Sequence, residues 1–373
     1  MSLLVPRRLT LAVAAFGAAA ALTGCEIPAT QKDQSGYRGT GMVNVQNPRI
    51  VTDKAAANAI PAGLAPAPAV GPPAGAIYQN VQVLGSLSVP QFARLMVGIT
   101  AWVSPQQGCN YCHEGNNLAS DALYTKVVAR RMLQMTQHIN ADWQSHVVKT
   151  GVTCYTCHHG QPVPTGLWSA PVQSVRARHA GNLAGQNLAS PAVNSSSLPF
   201  DPFTVFLQNA NEIRVQSTTA LPTGNYSSIK QTEWTYALMM HMSQSLGVNC
   251  TYCHNSRAFN NWQESRVQRT TAWHGIRMVR GLNVDYIEPL TSVFPANRLG
   301  PAGDLPKVAC ETCHKGVYKP LLGVSMLQDY PELAAPLPPY VKPEAAPVDG
   351  AAPAPAEGAP ATPTPEVAST PAT

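Results

Sequence analysis

Eight of the nine cysteines stand in four copies of one pattern, Cys-x-x-Cys-His. The copies are Cys109-Asn110-Tyr111-Cys112-His113, Cys154-Tyr155-Thr156-Cys157-His158, Cys250-Thr251-Tyr252-Cys253-His254 and Cys310-Glu311-Thr312-Cys313-His314. This spacing is the attachment signature of c-type haem. One tight turn presents two thiols to the vinyl groups of a porphyrin edge, and the adjacent histidine turns a ring nitrogen onto the iron. A single copy would serve as well for half of a zinc site. Four copies, with no further cysteine pairs to complete zinc tetrads, point instead to four covalently bound c-type haems. His113, His158, His254 and His314 are then the proximal ligands.

Each iron needs a partner on its other face. Met96 lies thirteen residues before Cys109, Met132 twenty-two before Cys154, and Met239 eleven before Cys250. Each falls on the helix expected before its motif, so one helix could lie over a haem face and deliver a thioether sulfur. A methionine on an apolar helical face otherwise serves core packing, but the repeated placement favours ligation. Met135, Met240, Met242 and His241 compete for the same roles. For the fourth haem, repeat logic nominates Met278, thirty-two residues before Cys310, with His274 and His146 as alternatives that spacing does not rank.

The elements that must position these groups are mainly helical. Phe92, Leu95, Met96, Ile99 and Trp102 recur at helical spacing, with Ser88 as a cap and Pro105 as a stop. A second helix is expected over 121–139, a third around Tyr236–Met240 ending at Gly247, and a fourth over 264–282. Ala129-Arg130-Arg131-Met132-Leu133 echoes Gly275-Ile276-Arg277-Met278-Val279, so each half reads helix, haem, helix, haem. The fold class that follows is mainly α with much irregular structure. It is a multihaem cytochrome c whose two haem-pair halves, 78–165 and 227–320, are related by a pseudo-twofold. Between them, 166–226 reads as a connector with little regular structure, at most a short strand pair.

The ends differ in composition. Residues 1–24 carry Arg7 and Arg8, then an apolar run too short to span a bilayer, then Leu22-Thr23-Gly24-Cys25. That reads as a lipoprotein signal peptide with Cys25 as the lipidated residue, which places the protein outside the cytoplasmic membrane. Residues 25–77, rich in Ala, Pro and Gly, read as an extended segment or linker. Residues 321–373 end in a Pro/Ala-rich tail from Pro331 onward that lacks the apolar content of a core. Loss of the leader takes the formal charge from +5 to +3. Roughly eight haem propionates would outweigh that, and no long basic run exists, so nucleic acid is not a partner.

The chain resembles the tetrahaem cytochrome c subunit of purple-bacterial photosynthetic reaction centres. The resemblance is carried by Gly98-Ile99-Thr100-Ala101-Trp102-Val103-Ser104-Pro105-Gln106, Val127-Val128-Ala129-Arg130-Arg131-Met132-Leu133 and Gly151-Val152-Thr153 leading into Cys154. Asp201-Pro202-Phe203-Thr204, Ala237-Leu238-Met239-Met240, Gly275-Ile276-Arg277-Met278-Val279-Arg280 and Asp329-Tyr330-Pro331-Glu332-Leu333 extend it from about Tyr78 to Leu333. The resemblance implies three Met/His haems, with Met96, Met132 and Met239, and one bis-His haem in which His146 pairs with His314. It thereby displaces Met278. It also implies a function: re-reduction of photo-oxidised special-pair bacteriochlorophyll at the periplasmic face of the photosynthetic membrane. The implied partners are L- and M-type core subunits, a soluble cytochrome c or high-potential iron-sulfur protein as donor, and the membrane through a lipid anchor. No substrate bond is made or broken, so no catalytic residue is expected. A periplasmic multihaem reductase is the competing class, and it would need one iron with an open face beside basic residues.

Overall fold

The computed structural model describes residues 29–35, 42–172, 188–190, 192–194, 196–213 and 229–341. The leader, Cys25 and the tail beyond Val341 lie outside the described residues, as do parts of the connector. The chain divides into two units, Met1–Tyr340 and Val341–Thr373, and only Val341 of the second is described.

Among the described residues of the first unit, seven helices position the motifs. Helix α1 spans Pro48–Ala57, α2 Val89–Val103, α3 Tyr124–Asp142, α4 Cys154–His158, α5 Ile229–Leu246, α6 Val267–Gly281 and α7 Cys310–His314. Ser88 caps α2 in a reciprocal capping box with Gln91, which satisfies two backbone donors and is worth about 1 kcal/mol. Leu95, Gly98 and Trp102 form the buried stripe of this helix. Helix α5 ends at Gly247, whose φ of +62° is left-handed; a Cβ there would run into the Gly316 carbonyl. The spans of α2, α3, α5 and α6 lie where the sequence places helices. The described sheet is slight: a single antiparallel pair, β1 Gln31–Ser35 with β2 Met42–Gln46.

Three stretches depart from expectation. Residues 29–73 hold the hairpin and α1, and they are tied to the body by the Thr251 hydroxyl donating to Val43 O and by Tyr155 Oη donating to Ala59 O at 3.0 Å. Further on, Arg94 binds the Leu64 and Ala65 carbonyls. Backbone hydrogen bonding, not apolar burial, holds this strap, and composition does not register that.

The connector shows no paired strands among its described residues. It nonetheless supplies the larger core with Trp168, Val193, Phe203, Phe206 and Leu207, packed against α3, α5 and α6. A π-helical turn, Thr204–Gln208, carries the last two.

The start of the tail also moves. Tyr330 and Leu333 are buried in a second core with Leu84, Leu87, Leu95 and Trp102. Asn140 Nδ2 donates to Leu333 O at 2.8 Å, Leu337 packs on the same core and Tyr340 lies against Gly75 and Gly85, so the chain stays on the body past Pro331.

Candidate haem-binding sites

The four motifs fold in two ways. In the first and third, the cysteines start 3-10 turns, Gly108–Tyr111 and Cys250–Tyr252. In the second and fourth they form α4 and α7. Each of these short helices begins with a threonine hydroxyl accepting from the backbone: Thr153 N to Thr156 Oγ1 at 3.0 Å, and Ala309 N to Thr312 Oγ1 at 2.9 Å. Each is followed by a left-handed residue, His159 and Lys315, both at φ 48°. The glycines after them donate to the preceding long helices, Gly160 N to Trp102 O at 2.8 Å and Gly316 N to Ser245 O at 2.7 Å.

An asparagine fixes the approach to each of these two motifs. Asn140 Nδ2 donates to Val152 O at 2.9 Å, and Val152 N donates back to Asn140 Oδ1 at 2.7 Å. Asn283 repeats the exchange with Val308, at 3.0 and 2.9 Å, and reaches Leu207 O at 2.8 Å. Both asparagines are buried. Nothing in the residue spacing had marked them. Their signal was an asparagine in an apolar helical stretch, where a polar side chain must find partners.

The four motif histidines share one geometry. Nδ1 of His113 meets Leu118 O at 2.9 Å, His158 meets Gln161 O at 2.8 Å, His254 meets Phe259 O at 2.9 Å, and His314 meets Val317 O at 3.1 Å. A carbonyl fixes Nδ1 as the N–H, so Nε2 is the lone-pair nitrogen available to a metal. Burial lowers the pKa of His158 and His254 and pushes His314 down to about 4, which keeps these imidazoles neutral, as ligation requires.

One further histidine behaves the same way. His146, on the helical turn Gln144–Val147, donates Nδ1–H to Thr271 O at 2.9 Å. Its ring lies 6.1 Å from that of His314, at 70°. The other candidates are differently engaged. His138 has Nδ1 at 2.6 Å from Asp142 and accepts from Trp143 Nε1. His241 is buried against Phe203 and Ser245, and His274 packs edge-on to Trp273.

Gly275 explains how His146 reaches α6. A Cβ on Gly275 would sit 2.5 Å from His146 Cε1 and 2.8 Å from its Nδ1. Counting back eight residues from the two clamping asparagines sets Met132 opposite Gly275. The second half thus lacks a side chain where the first half has the candidate methionine, and the His146 ring fills the gap. Met278, by contrast, is packed in the larger core.

A cavity of about 1150 Å³ lies between the first two motifs. Cys109, Cys112 and His113 line it together with Cys154, Cys157 and His158, and both Met96 and Met132 reach it. That exceeds the roughly 300–1,000 Å³ of drug-sized pockets. Thr100 and Thr136 tie their hydroxyls to the Met96 and Met132 carbonyls, at 2.8 and 2.9 Å. Met239 is half-buried against the larger core, outside this cavity, with Met240 half-buried beside it and Met242 buried.

Burial pushes Cys154 and Cys310 up to about 12 and Cys253 to about 11, which keeps these three thiols neutral. Among the described residues, no three His, Cys, Asp or Glu side chains are grouped to hold an ion. A neutral thiol paired with a neutral, carbonyl-fixed imidazole fits a haem, which brings its own four nitrogens. Cys157 Sγ and Cys313 Sγ lie 2.9 Å apart, so the second and fourth motifs adjoin. Arg280 donates to Phe206 O at 3.0 Å and ties α6 to the connector.

Comparison with known proteins agrees with this reading. The family described as the photosynthetic reaction centre cytochrome C subunit matches residues 26–334. The photosynthetic reaction center cytochrome c subunit of Rubrivivax gelatinosus is 53% identical over 328 residues, covering 87% of this chain and 89% of that protein. That of Thermochromatium tepidum is 51% identical over 329 residues, covering 88% and 81%. That of Roseobacter denitrificans is 42% identical over 344 residues, covering 87% and 91%. The chain therefore belongs to the family of photosynthetic reaction centre cytochrome c subunits.

Proposed function

We propose that this chain carries four covalent c-type haems and re-reduces the photo-oxidised special pair of a photosynthetic reaction centre. Family membership makes it an electron-transfer subunit rather than an enzyme, with c-type haem, associated with a reaction centre and hence with its membrane. The finer reading assigns the eight motif cysteines as thioether carriers, and His113, His158, His254 and His314 as proximal ligands. Met96, Met132, Met239 and His146 are the distal ligands of the first to fourth haems in that order. When bound, the haems supply one-electron chemistry at iron.

One observation carries the least obvious assignment, His146 with His314. His146 has the same carbonyl-fixed Nδ1 as the four motif histidines. Its ring centre lies 6.1 Å from that of His314, and with both Nδ1 atoms committed to carbonyls the two Nε2 atoms would be the ones to hold an iron. The chain's own task is to hold each ligand pair rigid and to keep water from the irons. Ligand choice then spreads the potentials, because a thioether raises the potential relative to a second imidazole. The matched asparagine clamps support a pseudo-twofold between the two haem-pair halves.

L- and M-type core subunits are the proposed docking partners. A soluble cytochrome c or high-potential iron-sulfur protein is the proposed donor. Among the described residues, no helix is long and apolar enough to cross a membrane. Attachment is assigned to acyl chains on Cys25, at the periplasmic face. The test is flash-induced absorbance change in membranes poised at stepped redox potentials. Oxidation of c-type haem within microseconds, in successive potential classes, is expected. Haems that ignore the flash while one binds carbon monoxide would overturn the reading in favour of a reductase.

A further inference from the structure

Resting on the assignment of His113 as a haem ligand, we infer that Lys126 sets the potential of the first haem by sharing the carbonyl that orients His113. Leu118 O accepts from His113 Nδ1 at 2.9 Å and also from Lys126 Nζ at 2.8 Å. Lys126 is 8% exposed and lines the same cavity as His113. Its other polar contacts are Ser120 O at 2.8 Å and Asp121 Oδ1 at 3.3 Å. Asp121 does not cancel the ammonium charge alone, because Arg130 already holds both its oxygens, at 2.7 and 2.9 Å. Two cations therefore share one carboxylate beside this histidine.

The contrast with the third motif isolates the effect. His254 uses the carbonyl five residues on, as His113 does, yet among the described residues Phe259 O takes no second donor. Arg269, whose charge acts on His254, binds Asn261 O and Ser265 Oγ instead. A carbonyl that takes an N–H alone draws the imidazole toward imidazolate and strengthens its donation to oxidised iron. An ammonium on the same oxygen withdraws electron density and weakens that pull. Its charge also disfavours the extra positive charge of the ferric state. Both act in one direction: Lys126 raises the potential. It touches neither iron nor thioether, so it is a positioning and tuning residue.

The experiment is a redox titration of the haem-loaded protein carrying Lys126→Met, beside Lys126→Arg. His113→Met marks which potential class belongs to this haem. The expected result for Lys126→Met is a fall in that class alone, with the other three unmoved and four haems retained. Lys126→Arg, which keeps the charge and a donor, restores most of the potential. Four unchanged classes, a rise, or a uniform shift of all four would overturn the inference. If Lys126→Met loses a haem, Lys126→Gln is read by the same criteria, and loss in both makes the residue structural, which also overturns it. If His113→Met leaves all four classes in place, the ligand assignment itself fails, and that outcome is independent of Lys126.

Discussion

The approaches to the second and fourth motifs share one clamp and differ at the position eight residues before it. Both use a buried asparagine that exchanges two hydrogen bonds with the valine two residues before the first cysteine. Both close with a left-handed residue and a glycine, bound to α2 in the second motif and to α5 in the fourth. Eight residues before the asparagine, however, the first half has Met132 and the second has Gly275. Deleting one side chain opens a slot, and a histidine from the other half enters it. The lesson is that a ligand can be changed without rebuilding the scaffold, by emptying a position and letting a neighbour occupy it.

The largest expected effect comes from removing the visitor. His146→Ala should leave the His314 haem five-coordinate, so one of the four reduced haems binds carbon monoxide while the others do not. Carbon monoxide difference spectra against the total haem content check this. No binding would mean another side chain completes that iron, and the comparison breaks.

A smaller effect is expected from refilling the slot. Gly275→Leu places atoms where the His146 ring lies, at an overpacking cost of about 1–3 kcal/mol. It should partly reproduce the carbon monoxide signature of His146→Ala and lower the melting temperature modestly. A variant with native ligation would show that the slot is not selective.

The smallest difference is expected between Asn140→Ala and Asn283→Ala. Each strands three buried backbone partners and should lose on the order of 3 kcal/mol. Denaturant unfolding should show the two losses equal to within about 1 kcal/mol. A loss confined to one of them would mean that the two halves do not share a clamp.

The helices around the haem motifs were legible because their apolar periodicity and caps are local. Ser88 and Gly247 marked helix ends in the sequence and mark them in the structure. What was not legible depended on distant partners. The hairpin and α1 are held by backbone bonds to residues far along the chain. Leu333 sits in a proline-rich stretch yet fills a core built by α2, because Asn140 anchors its carbonyl. The internal repeat was read from the words around Met132 and Met278, which are out of register with the asparagine clamps by three residues. A shift of three is close to one helical turn, so periodicity alone cannot detect it. The π-helical turn Leu282–Ile287, which carries Asn283, adds to the ambiguity.

The 2.9 Å approach of Cys157 and Cys313 has a consequence for circuit layout. Thioether sulfurs sit on porphyrin rims, so two rims meet there, while the second motif also shares a cavity with the first. On the proposed assignment, the second haem is a junction with the first on one side and the fourth on the other. On that assignment an electron would not follow the numbering of the chain, because the last haem translated would adjoin the second.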